Sequence, residues 1–98
     1  MLERDNFQPT FDRYPINKTI SDIVEICQLQ AEMQKVTINL ITLPKEEILE
    51  IDLLRVQQVV INLLSNALKF SKAMDVIDVR LGLTAIGYDG EVELKIDV

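Results

Sequence analysis

Residues 52–72 of this chain, DLLRVQQVVINLLSNALKFSK, constrain its fold more than any other stretch. At about 100° per residue, the segment forms a helix that is mostly apolar and carries one polar stripe within an arc of about 80°. The stripe consists of Arg55, Gln58, Asn62, Asn66 and Lys69. A helix with so wide an apolar surface is expected to be buried on most sides. Partly buried carboxamides need partners, because unpaired ones cost about 1–3 kcal/mol each. The stripe therefore suits a metal–phosphate ligand.

Charge and composition exclude several functional classes. The chain of 98 residues has 10 Lys and Arg against 16 Asp and Glu, a net charge of −6, and no histidine. Nucleic acid is therefore not expected as a partner, because its binding needs clustered basic residues. The N-terminus is charged from its third residue, and no apolar run approaches the roughly 20 residues of a membrane span. The single cysteine, Cys27, cannot form an internal disulfide and is expected to be a buried small apolar residue.

The first half of the chain predicts a helix followed by a strand. A helix is expected over residues 17–35, capped by Asn17 or Thr19. It has two apolar sides, so it can touch both a sheet and a neighbouring helix. One side carries Ile20, Ile23, Val24, Cys27 and Ala31, and the other carries Ile26, Leu29 and Met33. Residues 36–43, VTINLITL, read as a strand that Pro44 ends. The acidic residues Glu46, Glu47 and Glu50 are expected in a solvated turn without metal-ligand geometry.

The second half predicts a capped helix and a hairpin. Residues 48–51 form a short edge strand, and Asp52 caps the polar-striped helix. Apolar residues alternate over 77–85 and over 92–98, and residues 87–90 join these runs as a turn. The sheet therefore has one covered face and one wet face. The expected fold class is α+β, a two-layer sandwich in which two helices cover one face of a mixed sheet.

The helix pattern closely resembles the N-box of sensor histidine kinases, which belong to the gyrase, Hsp90, histidine kinase and MutL ATPase superfamily. The matching letters are Asp52-x-x-Arg55-x-x-Gln58-Val59-x-x-Asn62-Leu63-Leu64-Ser65-Asn66-Ala67-x-Lys69-Phe70-Ser71. The likeness covers roughly residues 11–98 and implies part of a Bergerat ATPase fold. It implies an ATP-binding catalytic domain that supplies the γ-phosphate for phosphorylation of a histidine in a cytoplasmic two-component phosphorelay.

The resemblance also implies roles for three side chains. In the family, the asparagine that matches Asn66 coordinates Mg²⁺ on the ATP phosphates. The asparagine that matches Asn62 and the lysine that matches Lys69 face the phosphates. Gyrase-like and Hsp90-like relatives have a glutamate at the position of Asn62, and a carboxamide cannot act as that base, which argues against those branches. Because the chain has no histidine, the phospho-acceptor is expected on a histidine-containing dimerisation domain. A response regulator is the further partner implied.

The sequence also departs from the family pattern. The adenine-binding aspartate, the glycine boxes and the ATP lid are expected after Val98, and Asp97 is not assigned the adenine role. Residues 16–98 are therefore expected to be an incomplete histidine kinase-like ATPase domain. Residues 1–15, which are polar with scattered aromatics, are expected to be a linker or the tail of a preceding element. The family usually has a glycine between the N-box and the next strand, and residues 71–75 have none, so this turn is expected to differ.

An alternative from another class stays open. The chain can be a non-catalytic fragment or interaction module that docks onto a kinase or a response regulator. The edge of its exposed hairpin allows self-association in that case. Arg55 and Gln58 are expected to order the first half of the helix rather than to bind a ligand.

Overall fold

Two helices and five strands, in the order β-α-β-β-α-β-β, make up the part of the chain that the computed structural model describes, residues 10–85 and 92–97. The helices are α1 (Ile16–Gln34) and α2 (Leu53–Lys69). The strands are β1 (Asp12–Pro15), β2 (Thr37–Ile41), β3 (Ile48–Ile51), β4 (Val76–Ala85) and β5 (Val92–Asp97).

The larger sheet is mixed, as the sequence predicted. Its strand order is β2-β4-β5. Strand β2 runs parallel to β4, from the pair Thr37–Val76 onward, and β5 runs antiparallel to β4. Because α2 lies between β2 and β4 in the chain, it is part of the crossover connection that parallel pairing requires. The turn predicted over residues 87–90 lies outside the described residues.

One core joins the helices to the covered face of this sheet, which confirms the α+β, two-layer prediction. Alternate residues of β4 are buried, and Asp78 and Arg80 between them are exposed. The largest fully buried side chains are Ile16, Ile20, Val60, Leu64, Leu68 and Val79. Each such side chain contributes about 1.5–3 kcal/mol by leaving water. Cys27 belongs to this core as predicted, and its burial raises the pKa of the thiol.

The structure describes a further strand before residue 16. Residues 12–15, in the segment expected to be a linker or the tail of a preceding element, form β1, which pairs antiparallel with β3 from Asp12–Ile51 to Pro15–Ile48. The segment DRYP has no apolar alternation, so its extended conformation depends on a partner strand that lies more than thirty residues later. Pro15 has no N–H and ends the strand, where its backbone (φ −72°, ψ 116°) leads into α1.

Helix α1 begins without the predicted side-chain cap. Pro15 occupies the cap position, and neither Asn17 nor Thr19 serves there. The side chain of Asn17 is instead bonded to the backbone of Leu43. Its Oδ1 accepts from the Leu43 N–H at 2.8 Å, and its Nδ2 donates to the Leu43 carbonyl at 3.1 Å. Asn17 therefore fixes the start of the β2–β3 connection against α1.

Glu46 caps α1 from the same connection: the residue is exposed, as the sequence predicted, but its carboxylate also has a structural role that the sequence did not indicate. Its carboxylate accepts from the N–H groups of Asn17 at 2.7 Å and Lys18 at 3.1 Å. The Ile16 N–H donates to the Glu47 carbonyl at 2.8 Å. Three N–H groups that begin a helix without intrahelical partners are thereby satisfied. The residues next to the start of α1 do not indicate this cap, because Glu46 lies 29 residues from Asn17 in the sequence.

Helix α1 packs against both β2 and α2, but it uses one side for both contacts. The predicted second apolar side is exposed, with Met33 77% accessible. The other members of this side, Ile26 and Leu29, are likewise exposed. Helix α1 therefore touches both a sheet strand and a neighbouring helix, as predicted, but its second apolar side is exposed in the described structure.

Among the described residues, two other than glycine have positive φ, and a hydrogen bond joins them. Lys35 (φ 61°) ends α1 in a Schellman arrangement, in which its N–H reaches the Glu32 carbonyl and the next N–H reaches Ala31. Met74 (φ 77°) lies in the glycine-free turn after α2, and its N–H donates to the Lys35 carbonyl at 2.7 Å. The end of α1 is thus joined to the start of β4.

Candidate functional site

The candidate site lies on α2, whose N-terminus forms as the sequence predicted. Asp52 occupies the cap position, and its Oδ1 accepts from the Arg55 N–H at 3.3 Å. The carboxylate also lies near the positive end of the helix dipole. The helix then runs without glycine or proline to Lys69. A regular helix of this length places side chains three and four residues apart on one face.

The polar stripe faces away from the core. The buried residues of α2 are Val60, Leu64 and Leu68. At about 100° per residue, the centre of the stripe lies about 160° from the centre of these three. All five stripe residues, Arg55, Gln58, Asn62, Asn66 and Lys69, are exposed. The structure therefore places Asn62, Asn66 and Lys69, the predicted ligand residues, on one accessible surface.

The apolar remainder of α2 is not buried on most sides, contrary to the sequence prediction. Leu54 is 75% exposed and Phe70 is 78% exposed. Val59 and Leu63, which border the stripe next to Asn66, are also exposed. Helix α1 is the described element that packs most extensively against α2, and it covers one face only. The asparagines therefore lie on an open helix face rather than in a groove.

The two asparagines are free to bind a ligand. Asn62 and Asn66 lie one turn apart, about 6 Å along the axis. Within the described ranges, neither carboxamide hydrogen-bonds to another side chain or to the backbone. A carboxamide oxygen is a neutral oxygen ligand of the kind that Mg²⁺ accepts beside water and phosphate oxygens. The residues present thus fit an Mg²⁺–phosphate group.

Lys69 ends the stripe on the last turn of α2. Its Nζ lies 5.6 Å from the centroid of the exposed Phe70 ring, within cation–π range. The helix ends just beyond, where Ser71 Oγ donates to the Ala67 carbonyl at 2.6 Å. A cation at the C-terminal end is stabilised by the helix dipole. Lys69 therefore supplies a positive charge about 4.5 Å along the axis from Asn66.

The turn after α2 is closed by hydrogen bonds between Lys72 and Asp75. Asp75 Oδ2 accepts from the Lys72 N–H at 2.8 Å, and the Asp75 N–H returns to the Lys72 carbonyl at 3.0 Å. Met74 has positive φ at the third position of this turn, as a type II turn requires. The turn therefore closes without a glycine, because Met74 adopts the positive φ itself. This is the turn that was expected to differ from the family pattern.

No helix in residues 10–85 or 92–97 combines the length and apolar character needed to cross a membrane. Comparison with family models gave no match, and comparison with curated proteins gave none either. Solved structures do match.

The catalytic domain of histidine kinase ThkA, in a nucleotide-free form, superposes with a TM-score of 0.67 at 21% identity. That match covers 74% of this chain and 49% of the ThkA domain, so the chain spans about half of that domain's length. ThkA in complex with the response regulator TrrA gives a TM-score of 0.65 at 21% identity, covering 72% of this chain and 21% of that one.

Two further kinases match over more of this chain. The cytoplasmic segment of histidine kinase QseC has a TM-score of 0.68 at 18% identity, covering 94% of this chain and 79% of that segment. Histidine kinase AdeS of Acinetobacter baumannii has a TM-score of 0.62 at 14% identity, covering 86% of this chain and 40% of its own. Identities this low establish the fold and not the activity. The described residues have the fold of histidine kinase catalytic domains, over the part of that fold that this chain spans.

Proposed function

We propose that this chain is part of the ATP-binding catalytic domain of a sensor histidine kinase. The domain would present ATP so that its γ-phosphoryl group passes to a histidine in a two-component phosphorelay. The observation that carries the proposal is the exposed row of Asn62, Asn66 and Lys69 on α2. The fold shared with the histidine kinase catalytic domains supports it.

The proposed chemistry assigns one task to each of these side chains. Asn66 would hold Mg²⁺ through its carboxamide oxygen, and the bound ion would neutralise charge on the phosphates. Lys69 would contact a phosphate as a point charge. Asn62 would face the terminal phosphate. Since a carboxamide cannot remove a proton, Asn62 suits transfer to an imidazole, which is already nucleophilic. Phosphoryl transfer depends mainly on positioning and charge stabilisation, and these three residues would supply both.

The partners follow from the same proposal. The chain contains no histidine, so the acceptor would lie on a histidine-containing dimerisation domain. A response regulator would receive the phosphoryl group next, and the ThkA structure with TrrA supports that partner class. Such a system would place this domain in the cytoplasm. Contacts to adenine would come from residues beyond those described.

Calorimetric titration of ATP with and without Mg²⁺ tests the proposal. We expect micromolar, Mg²⁺-dependent binding to the full-length protein, and loss of its Mg²⁺ dependence in Asn66→Ala. Gln30→Ala is the matched control, because it removes an exposed carboxamide from α1 instead. Unchanged Mg²⁺-dependent binding in Asn66→Ala would contradict the assignment. Titration of this 98-residue chain alone tells whether the phosphate-binding half suffices.

A second function is favoured by the exposed apolar side chains of both helices. Exposed apolar side chains often mark protein–protein interaction surfaces. Here they are Ile26, Leu29 and Met33 on α1 and Leu54 on α2. The chain would then be a non-catalytic module that docks onto a kinase or a response regulator, or self-associates through its hairpin edge. Sedimentation discriminates: a monomer at micromolar concentration that binds Mg²⁺–ATP would contradict this second function.

A further inference from the structure

Two residues of the polar stripe have no task in the proposed nucleotide site. Arg55 and Gln58 lie on the same exposed face of α2 as the asparagines, nearer to its N-terminus. The sequence suggested that they order the first half of the helix. Their side chains, however, make no hydrogen bond or ion pair with any residue in the described ranges. A role in ordering the helix therefore has no contact to support it.

Arg55 also stands where a cation is electrostatically unfavourable. It lies in the first turn of α2, at the positive end of the helix dipole, where acidic residues are preferred. No Asp or Glu occurs from residue 53 to residue 69. The ion pairs among the described residues join Lys18 with Asp22 and Arg80 with Asp78. The nearest acidic residue in the sequence, Asp52, accepts from the Arg55 backbone N–H, and the Arg55 guanidinium itself has no ion-pair partner among the described residues. Its bidentate geometry suits a carboxylate.

The order of residues along α2 indicates where such a carboxylate would lie. At 1.5 Å per residue, Asn62 lies about 6 Å from Asn66, Gln58 about 6 Å further, and Arg55 about 4.5 Å beyond that. In the proposed site, Asn66 and Lys69 hold the metal and phosphates, and Asn62 faces the terminal phosphate. In-line transfer brings the acceptor from the side of the terminal phosphate opposite the leaving group. Gln58 and Arg55 continue the stripe in that direction.

We propose that Arg55 and Gln58 dock the protein segment that carries the acceptor histidine, with Arg55 paired to a carboxylate on that segment. The inference rests on the proposed function and adds a partner-binding surface to it. Both are positioning residues: they would orient the acceptor without touching the transferred group. Gln58 would hydrogen-bond a polar group of the same segment, one turn nearer to Asn62.

The test compares ATP binding with phosphoryl transfer in the full-length protein. We would prepare Arg55→Glu, Arg55→Lys and Gln58→Ala, with Lys45→Glu as a control of equal charge change at an exposed position. Glu in the first turn of a helix is favoured by the dipole, so Arg55→Glu is not expected to unfold α2. ATP affinity is measured by calorimetry, and transfer is measured as single-turnover labelling of the acceptor from γ-labelled ATP at low and high ionic strength.

We expect Arg55→Glu to slow phosphoryl transfer about tenfold, because the variant loses the ion pair with the acceptor segment. The affinity for ATP should stay within about twofold of the wild-type value. Arg55→Lys retains part of the rate, and the difference from wild type shrinks at high salt because screening weakens the pair. Reversal of one acidic residue on the acceptor segment to Arg restores transfer to Arg55→Glu.

Transfer by Arg55→Glu at the wild-type rate would overturn the inference and leave the proposed function intact. An equal loss of ATP affinity and transfer would also overturn it, because Arg55 would then contact the nucleotide. If the wild-type protein neither binds ATP nor labels a histidine, the proposed function fails and this inference fails with it.

Discussion

Replacement of Glu46 tests how the β2–β3 connection holds the start of α1. The carboxylate accepts from two first-turn N–H groups, those of Asn17 and Lys18 at 2.7 and 3.1 Å. Loss of a cap costs about 0.5–2 kcal/mol, and an anion at this helix end contributes about 0.3–1 kcal/mol. Because Glu46 is exposed, water replaces part of what Glu46→Ala removes. We therefore expect Glu46→Ala to lower the free energy of unfolding by about 1–2 kcal/mol.

Glu46→Gln divides this effect into two parts. Gln retains one acceptor oxygen and loses the charge, so we expect about half of the alanine effect. The assay is urea unfolding followed by circular dichroism, in which the midpoint falls at an unchanged slope. The same loss lowers the melting temperature by about 4–8 °C per kcal/mol. Glu25→Gln is the control, since it removes an equal charge from an exposed position in the middle of α1. If Glu46→Ala unfolds at the same urea concentration as Glu25→Gln, the carboxylate does not stabilise α1.

Three further changes probe the core, the glycine-free turn and the buried thiol. Leu64→Ala removes a fully buried side chain and should lower the free energy of unfolding by about 2–5 kcal/mol. Leu54→Ala, on the exposed side of the same helix, should lower it by under about 0.5 kcal/mol. Equal losses for the two variants in urea titrations would contradict the assigned faces. Met74 has a left-handed backbone conformation and an exposed side chain, so Met74→Gly should raise the free energy of unfolding by about 0.5–1 kcal/mol. A decrease would show that φ is not positive at this residue. Burial raises the pKa of the Cys27 thiol, so the unfolded chain loses this proton first as the pH rises, and the free energy of unfolding should fall above about pH 9. Cys27→Ala should lack that component in urea titrations on either side of this pH, and an identical pH dependence would contradict it.

Features that depend on local sequence were predicted well. Strand β3 has the predicted bounds, and Asp52 caps α2 as expected, because a cap and a short strand are encoded by adjacent residues. The faces of β4 follow from its period of two. The exposed row of Asn62, Asn66 and Lys69 follows from helix periodicity in the same way, while the ligands of that row were an implication of the family resemblance.

Features that depend on distant partners were not predicted. Strand β1 needs β3, and the cap on α1 needs Glu46, and both partners are about thirty residues away or more. The burial of α2 was overestimated because apolar periodicity shows which faces could be covered, not how many elements cover them. Met33 and Phe70 belong to patterns typical of core residues and yet are exposed in the described structure.

The parallel pairing of β2 with β4 has a consequence for the chain as it is synthesised. Thr37 pairs with Val76, so 39 residues must follow Thr37 before its partner has been made. At a synthesis rate of roughly 5–20 residues per second, β2 waits about 2–8 s with an edge that no strand covers. Helix α1 is complete by then, and the Val36 N–H already bonds to the Ala31 carbonyl at the junction. Helix α1 can therefore shield Ile38 of β2 on the nascent chain. Strand β2 is most prone to aggregation during the interval before its partner strand has been synthesised.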